Sequence, residues 1–264
     1  MPSPVIYHTE LKAFHAELTL MLEGECDFSA AGVALYTSDA SNYRQIPLGV
    51  VYPKSVDDLV NTVTLCKTFR LPVLMRGGGT SQNGQGVNEA VVLDCSRYLT
   101  RVSEIDVDKK TALVDPGVIC DSLKQQAELY GLTFGPDPGT HSRCTLGGMI
   151  GNNSCGPHSM LAGKTVENVL QLEILTSDGA RFWVGPTTNE ELDLIIAGTD
   201  RRALIYRELV SIRDEYQALI RQRYPNIKRR VSGYNLDQLL PENGFNVARA
   251  LVGSEGTCVT VLQA

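Results

Sequence analysis

A strand, a run of three glycines and a second strand follow one another directly at residues 73–94, and few folds accommodate that order. Val73-Leu74-Met75 reads as a short apolar strand. Arg76-Gly77-Gly78-Gly79-Thr80-Ser81 follows, Gln82-Asn83-Gly84-Gln85-Gly86 extends the loop, and Val91-Val92-Leu93-Asp94 reads as the next strand. Three adjacent glycines remove three Cβ atoms, so the backbone can reach φ > 0 and approach a ligand closely. Successive N–H groups in such a loop can converge on an anion. Thr80 and Ser81 add hydroxyl donors, and Arg76 adds a fixed positive charge. The combination suits a diphosphate.

The two common phosphate loops do not fit. A Walker A loop is G-x-x-x-x-G-K-[ST]. Gly79 and Gly84 have that spacing, but Gln85 stands where the lysine belongs. At Gly163-Lys164-Thr165 the upstream glycine is replaced by His158. The dinucleotide fingerprint needs a helix directly after its glycines, and here a strand follows. The plain alternative is a flexible turn, yet an arginine-flanked triple glycine between strands is more specified than a linker requires.

The chain has 264 residues, room for one large domain or two lobes. With 43% apolar and 20% charged residues it reads as a soluble globular protein. The formal net charge is −6 with no long basic block, so nothing calls for nucleic acid. No apolar run reaches a membrane span, and Met1-Pro2-Ser3-Pro4 does not open a secretory signal. A cytoplasmic location is expected. The seven cysteines, at 26, 66, 95, 120, 144, 155 and 258, form no C-x-x-C pair. Their spacing supports neither a zinc nor an iron–sulfur site, and reduced, mostly buried thiols are expected, with no metal.

Periodicity predicts a helix over residues 5–25, an irregular lead-in over 26–45, and a strand at Val50-Val51-Tyr52. Ser55 with Asp58 marks a helix start. Paired strands are expected at 102–107 and 111–115, and a helix at about 121–130. The segment Phe134 to Gly156 shows almost no helix or strand pattern in its middle, and a loop of that length is usually functional. Strands are expected at 169–175 and 181–184, helices at about 188–196 and 202–222, and a strand at Ala250-Leu251-Val252.

Three motifs in this order carry a resemblance. They are Arg76 to Ser81, then Thr145-Leu146-Gly147-Gly148-Met149-Ile150-Gly151-Asn152-Asn153-Ser154-Cys155-Gly156, then Gly233-Tyr234-Asn235-Leu236 with Gly253-Ser254-Glu255-Gly256-Thr257. Over about residues 41–264 the chain resembles the FAD-binding domain of the vanillyl-alcohol-oxidase-type flavoproteins, the PCMH-type (p-cresol-methylhydroxylase) fold. It is most similar to the branch that oxidises D-2-hydroxy acids: D-lactate dehydrogenase, glycolate oxidase and D-2-hydroxyglutarate dehydrogenase, above all the large FAD-linked oxidases with an iron–sulfur domain. The resemblance implies an α+β fold of two lobes with FAD between them. An N-terminal helix and lead-in would cover 1–45 and the FAD-binding domain 46–264, with lobe one at about 46–116 and lobe two at about 117–264.

The resemblance also implies a cofactor-binding set. Gly77, Gly78, Gly79, Thr80 and Ser81, flanked by Arg76 and Gly86, would hold the pyrophosphate. Thr145, Gly147, Gly148, Gly151 and Asn152, with Pro138, would line the ribityl and diphosphate run, and Ser154 and Gly156 would complete it. Gly117, Val118, Gly253, Glu255, Gly256 and Thr257 would close around the adenine and ribose. Relatives with a covalent flavin often carry histidine where Thr80 stands, so non-covalent FAD is implied. The histidines at 8, 15, 141 and 158 offer no obvious substitute. His141 and His158 flank the second motif and read either as cofactor contacts or as surface-loop residues.

Tyr234 and Asn235 are the catalytic candidates, near the flavin face or a substrate carboxylate, with a structural role as the alternative. Arg229 and Arg230 read as a solvated basic patch closing a helix, and Cys155 as a packed small side chain rather than a reactive thiol. In the family a substrate-binding cap follows, so the resemblance implies the cofactor-binding part of a longer oxidoreductase, inactive on hydroxy acids by itself. Its partners would be a small hydroxy acid and an electron acceptor: an iron–sulfur domain, a quinone or an electron carrier. Partners could hold it at the inner face of a membrane. Two other readings stand beside this one: a stand-alone flavin-binding subunit of a redox complex, and a reductase of cell-wall precursors on the same fold. Gly233-Tyr234-Asn235-Leu236 favours the hydroxy-acid branch over the second.

Overall fold

Ser55 starts the first long-range construction in the chain. In the computed structural model, which describes residues 8–264, its hydroxyl accepts from the Asp58 N–H at 3.1 Å and caps α3 (Val56–Thr68). The Asp58 carboxylate turns away from the cap. It accepts from the N–H groups of Glu23, Gly24 and Lys54 at 2.9, 3.0 and 2.8 Å. One buried carboxylate thus pins the end of α1 (His8–Met21) to the start of α3.

Both helices cover a four-stranded sheet ordered β1-β2-β4-β3. Its strands are β1 (Glu25–Asp27), β2 (Gly49–Tyr52), β3 (Val73–Arg76) and β4 (Val91–Asp94). β2, β4 and β3 run parallel, and β1 closes one edge antiparallel. Every residue of β4 is buried, as a central parallel strand requires. Phe14, Leu18, Leu59, Val63 and Cys66 pack on Val51, Val91 and Leu93. Each such side chain contributes roughly 1.5–3 kcal/mol by leaving water.

β5 (Val102–Asp106) and β6 (Thr111–Val114) form a hairpin, and α4 (Cys120–Glu128) follows. A third, antiparallel sheet is ordered β8-β7-β9, with β7 (Leu172–Leu175), β8 (Arg181–Val184) and β9 (Thr260–Gln263). Val114 and Ala264 exchange two backbone hydrogen bonds, 2.9 and 3.1 Å, and join the hairpin to it. α7 (Asn189–Ile196) and α8 (Arg201–Arg223) belong to the same half of the chain, where Tyr206, Leu172, Ile174, Phe245 and Val252 make a second core. A third apolar cluster, from Val114 to Met149, lies across residues 116 and 117. Leu175 and Leu262 of the third sheet belong to the first core.

Most expected elements form. The differences have local causes. Residues 5–7 of the expected first helix lie outside the described residues. The lead-in contains β1 and α2 (Ala30–Ala34), which Ser29 caps at 3.1 Å. The apolar run Ala250-Leu251-Val252 is not a strand: α9 (Val247–Leu251) occupies it, capped by the Asn246 side chain, which accepts from Arg249 N–H at 3.0 Å. The strand lies further on, at β9. The 169–175 strand shortens to β7, since ladder pairing begins only at Leu172 with β8 and at Glu173 with β9. The glycine-rich stretch 134–156 also contains α5 (Leu146–Asn152) and α6 (Ser159–Ala162) begins just beyond it.

Candidate flavin site

Glycines are poor helix formers, by roughly 1 kcal/mol each relative to alanine, yet α5 contains three of them. Its ends explain how it holds. Thr145 caps the start, its hydroxyl accepting from Gly148 N–H at 3.3 Å. At the other end the third motif supplies donors: Gly253 N–H to Ile150 O at 2.9 Å and Glu255 N–H to Gly151 O at 2.8 Å. Leu146, Met149 and Ile150 are buried. Gly148, Gly151 and Asn152, at i, i+3 and i+4, share another face.

The first loop docks on the start of this helix. A Cβ at Gly77 would lie 1.9 Å from Thr145 Oγ1, and one at Gly78 would lie 2.2 Å from Arg143 O. The far side of the loop reaches the third motif. Ser81 Oγ donates to Gln85 Oε1, and Gln85 Nε2 donates to both Glu255 carboxylate oxygens at 3.2 Å. The three motifs therefore close a ring: 77 on 145, 151 on 255, and 255 back through 85 to 81. Tyr234 OH adds a hydrogen bond to Thr257 Oγ1 at 2.8 Å.

Arg76 has a holding role in this arrangement. Its guanidinium donates to the carbonyls of Gly86 at 2.6 Å and Ser38 at 2.8 Å, and stacks over the Tyr36 ring at 5.1 Å. Asp39 closes the same turn by accepting from Gly86 N–H at 3.0 Å. Burial pulls the Asp39 carboxyl upward, but hydrogen bonds from Ser41 and Gly86 with the nearby Arg76 charge outweigh it, and the net shift is downward.

The glycines of the expected site divide by what surrounds them. Gly117 is pressed on Cys95 O, Gly147 on Pro116 and Gly156 on Asp137 O, so protein neighbours alone forbid a side chain there, while Gly86 lies against the movable Asp39 carboxylate. Val118 is fully buried beside them and Pro138 is buried. Gly79, Gly253 and Gly256 have positive φ, 62°, 89° and 73°. Gly151 fits neither explanation. Its φ is negative, and a Cβ there would meet nothing within 4 Å. Gly139 is the same, and Gly148 would touch Thr145 Oγ1 alone, at 3.3 Å. A helix face kept bare with no protein against it is what an extended cofactor requires. The residues present fit FAD on that observation.

Among the remaining candidates, Ser154 Oγ donates to Asn152 Oδ1 at 2.5 Å and Ser154 O anchors Thr165. Cys155 Sγ lies 3.3 Å from Arg229 Nη2. His141 and His158 are exposed and pair with Asp121 and Asp137 at 2.7 and 2.5 Å, bracing the second motif from outside. Asn235 is buried and its amide is engaged: Nδ2 donates to Val252 O at 2.8 Å and Arg249 O at 3.3 Å, and Oδ1 accepts from Arg230. Arg230 also pairs with Asp237 at 2.6 Å, so it is not a freely solvated charge, and α8 ends well before it. Sequence reasoning missed the bridging of Gln85, the clamp of Tyr36 and Asp39, and the left-handed Asn153 (φ 53°) that ends α5. Gln85 and Asn153 lay inside quoted motifs; Tyr36 and Asp39 carried no local signal.

The ring of glycine motifs on an α+β framework defines a domain built to hold a long phosphate-bearing cofactor. Residues 47–185, which contain the first two motifs, match the FAD binding domain family, and the chain belongs to it. The chain is similar to D-2-hydroxyglutarate dehydrogenase of Pseudomonas putida, 32% identical over 245 residues, 91% of this chain and 24% of the relative. It is also similar to glycolate oxidase subunit GlcD of Bacillus subtilis, 33% identical over 155 residues, 58% of this chain and 33% of the relative. The chain spans about a quarter, 24%, of the length of the D-2-hydroxyglutarate dehydrogenases it matches. Among solved structures, an alkyldihydroxyacetonephosphate synthase superposes with a TM-score of 0.66 at 18% identity, over 96% of this chain and 39% of that one. The 6-hydroxy-D-nicotine oxidase of Arthrobacter nicotinovorans gives 0.56 at 23% identity, over 66% and 38%. Both likenesses are of fold. They agree with the expected PCMH-type α+β class.

Proposed function

We propose that this chain holds FAD non-covalently for a dehydrogenase that oxidises a D-2-hydroxy acid of the lactate, glycolate or 2-hydroxyglutarate kind to the 2-oxo acid. The bare face of α5 at Gly148, Gly151 and Asn152 carries the cofactor half of this reading. The relatives named above carry the substrate half. Bound FAD supplies a two-electron acceptor for the hydride of the hydroxyl-bearing carbon.

The chain's own residues do the holding. Backbone N–H groups of residues 77–81 would hold the diphosphate, with the Thr80 and Ser81 hydroxyls beside them. Thr145 fixes the start of α5 beside that loop, and Glu255 fixes its end. Residues 46–116 and 117–264 form the two walls. Threonine at 80 has no ring nitrogen to bond the flavin, which supports non-covalent binding. Tyr234 and Thr257, hydrogen-bonded at 2.8 Å, stand at the third motif and orient its turn. The partners this reading calls for are the hydroxy acid and an electron acceptor, an iron–sulfur domain, a quinone or an electron carrier, and such a partner could hold the protein at a membrane face.

The test is the absorption spectrum of the purified protein, taken before and after acid precipitation. Flavin bands that move entirely to the supernatant support the reading. A colourless protein that takes up no added FAD overturns it, and flavin retained in the pellet overturns the non-covalent mode.

A further inference from the structure

A cavity of about 250 Å³ lies in the second half of the chain; of the three motifs only Asn235, from 233–236, lines it, and no residue of 76–86, 145–156 or 253–257 does. Lys164, Lys228, Arg230 and Arg249 line it, with Asn235 and Gln238. Four cations around one small space repel each other, so their counter-charges decide what it holds.

Two of the four are paired. Lys164, only 8% exposed, pairs with Glu167, and its ammonium also donates to Lys228 O at 2.9 Å. Arg230 pairs with Asp237 at 2.6 Å and stacks over Tyr224 at 4.6 Å. The other two have no carboxylate within ion-pairing distance among the described residues. Arg249 donates from Nε to Val169 O at 3.5 Å and from Nη2 to Glu167 O at 3.4 Å, both neutral carbonyls. Lys228 lies exposed on the 225–230 segment, and Arg249 is half-buried. Four positive charges against two negative ones leave an excess of two. A protein does not ordinarily gather unpaired cations about a partly buried space without an anion to meet them.

We propose that this cavity is a binding site for a small dianion, a phosphate group or a dicarboxylate. An arginine fork and a lysine point charge are the donors such oxygens select, and the amide of Gln238 adds a neutral one. The cavity shares with the third motif Asn235, whose amide is already engaged by Val252 O and Arg249 O, and its four cations lie outside the three motifs. It backs onto the second motif, since Thr165, next to Lys164, donates from its hydroxyl to Ser154 O at 2.8 Å.

Titration calorimetry on the 264-residue chain, with and without added FAD, tests this. Sodium phosphate and sodium glutarate are titrated in separate arms against sodium chloride at matched ionic strength. Saturable heat with at least one of them is expected, and the arm that saturates names the source. Lys228→Glu and Arg249→Lys should each weaken it, the former by about tenfold or more, while Lys12→Glu leaves it unchanged. Absence of saturable binding in both arms overturns the proposal. So does binding that survives Lys228→Glu, or that falls equally in Lys12→Glu.

Discussion

The backbone N–H of Glu255 donates to the carbonyl oxygen of Gly151 at 2.8 Å. The Gly151 carbonyl lies in the last turn of α5, where helix carbonyls lack intrahelical partners. Glu255 reaches it from the left-handed region, with φ 54°, next to Gly256. The third motif is therefore a C-terminal stop for α5. It supports a helix that its own glycines leave weak.

Gly151 itself gives the sharpest prediction. In the flavin-free protein Gly151→Ala has open space for its methyl group and gains helix propensity, so stability should rise by roughly 0.5–1 kcal/mol. Gly151→Leu should fold, with an unchanged far-ultraviolet spectrum, and lose flavin. Paired urea melts and flavin titrations check both. A Gly151→Leu protein that binds FAD as the wild type does would place the cofactor elsewhere.

At Gly77 the opposite sign is expected. A methyl group 1.9 Å from Thr145 Oγ1 forces the loop off the helix cap. Gly77→Ala should cost roughly 1–3 kcal/mol. Thr145→Ala removes the cap and should cost about 0.5–2 kcal/mol, but it also removes the clash. The double variant should be less destabilised than the sum by at least ~0.5 kcal/mol. Strict additivity in the cycle would mean that the two residues do not touch.

Asp58 is predicted to matter for stability where it ties α1 to α3. Its carboxylate takes three backbone N–H groups while 1% exposed. In Asp58→Asn one oxygen becomes an NH₂ facing those donors. A loss of roughly 1.5–3 kcal/mol follows. It should appear as a lower urea midpoint with an unchanged slope.

Glu242 supplies the pH dependence. The Arg221 guanidinium, at 2.8 and 3.0 Å, holds its carboxyl down to about 2 from an ordinary 4.5. A lowered folded-state value stabilises the protein above the unfolded value and stops doing so as pH falls through the folded one. The stability gap between wild type and Glu242→Gln should be full above about pH 4.5 and close towards pH 2. Denaturation midpoints at a series of pH values measure it. A gap of constant size across that range would assign the effect to something other than this charge.

Local signals in the sequence announced most of the fold. Ser55 and Asp58 marked a real cap, and Val91–Asp94 a real buried strand. Ala250-Leu251-Val252 failed because a three-residue apolar run has no period, and the decision lay with Asn246, whose side chain caps the turn. α5 was illegible because its sequence argues against a helix and its support comes from Glu255, more than a hundred residues later. The same limit applied to the site. Glycine counts located the three motifs, but only their surroundings separate Gly117, pressed on Cys95, from Gly151, which faces open space. Gln85 first counted only as the residue that rules out a Walker lysine; its amide turned out to bridge two motifs.

That bridge has a consequence for biosynthesis. Gln85 and Glu255 are 170 residues apart, and a ribosome adding about 5–20 residues per second takes roughly 10–30 s to cover that interval. Throughout it the first glycine loop lacks its prop. The nascent chain therefore cannot present a finished cofactor cradle. On the proposed reading, flavin loading would follow the emergence of the third motif.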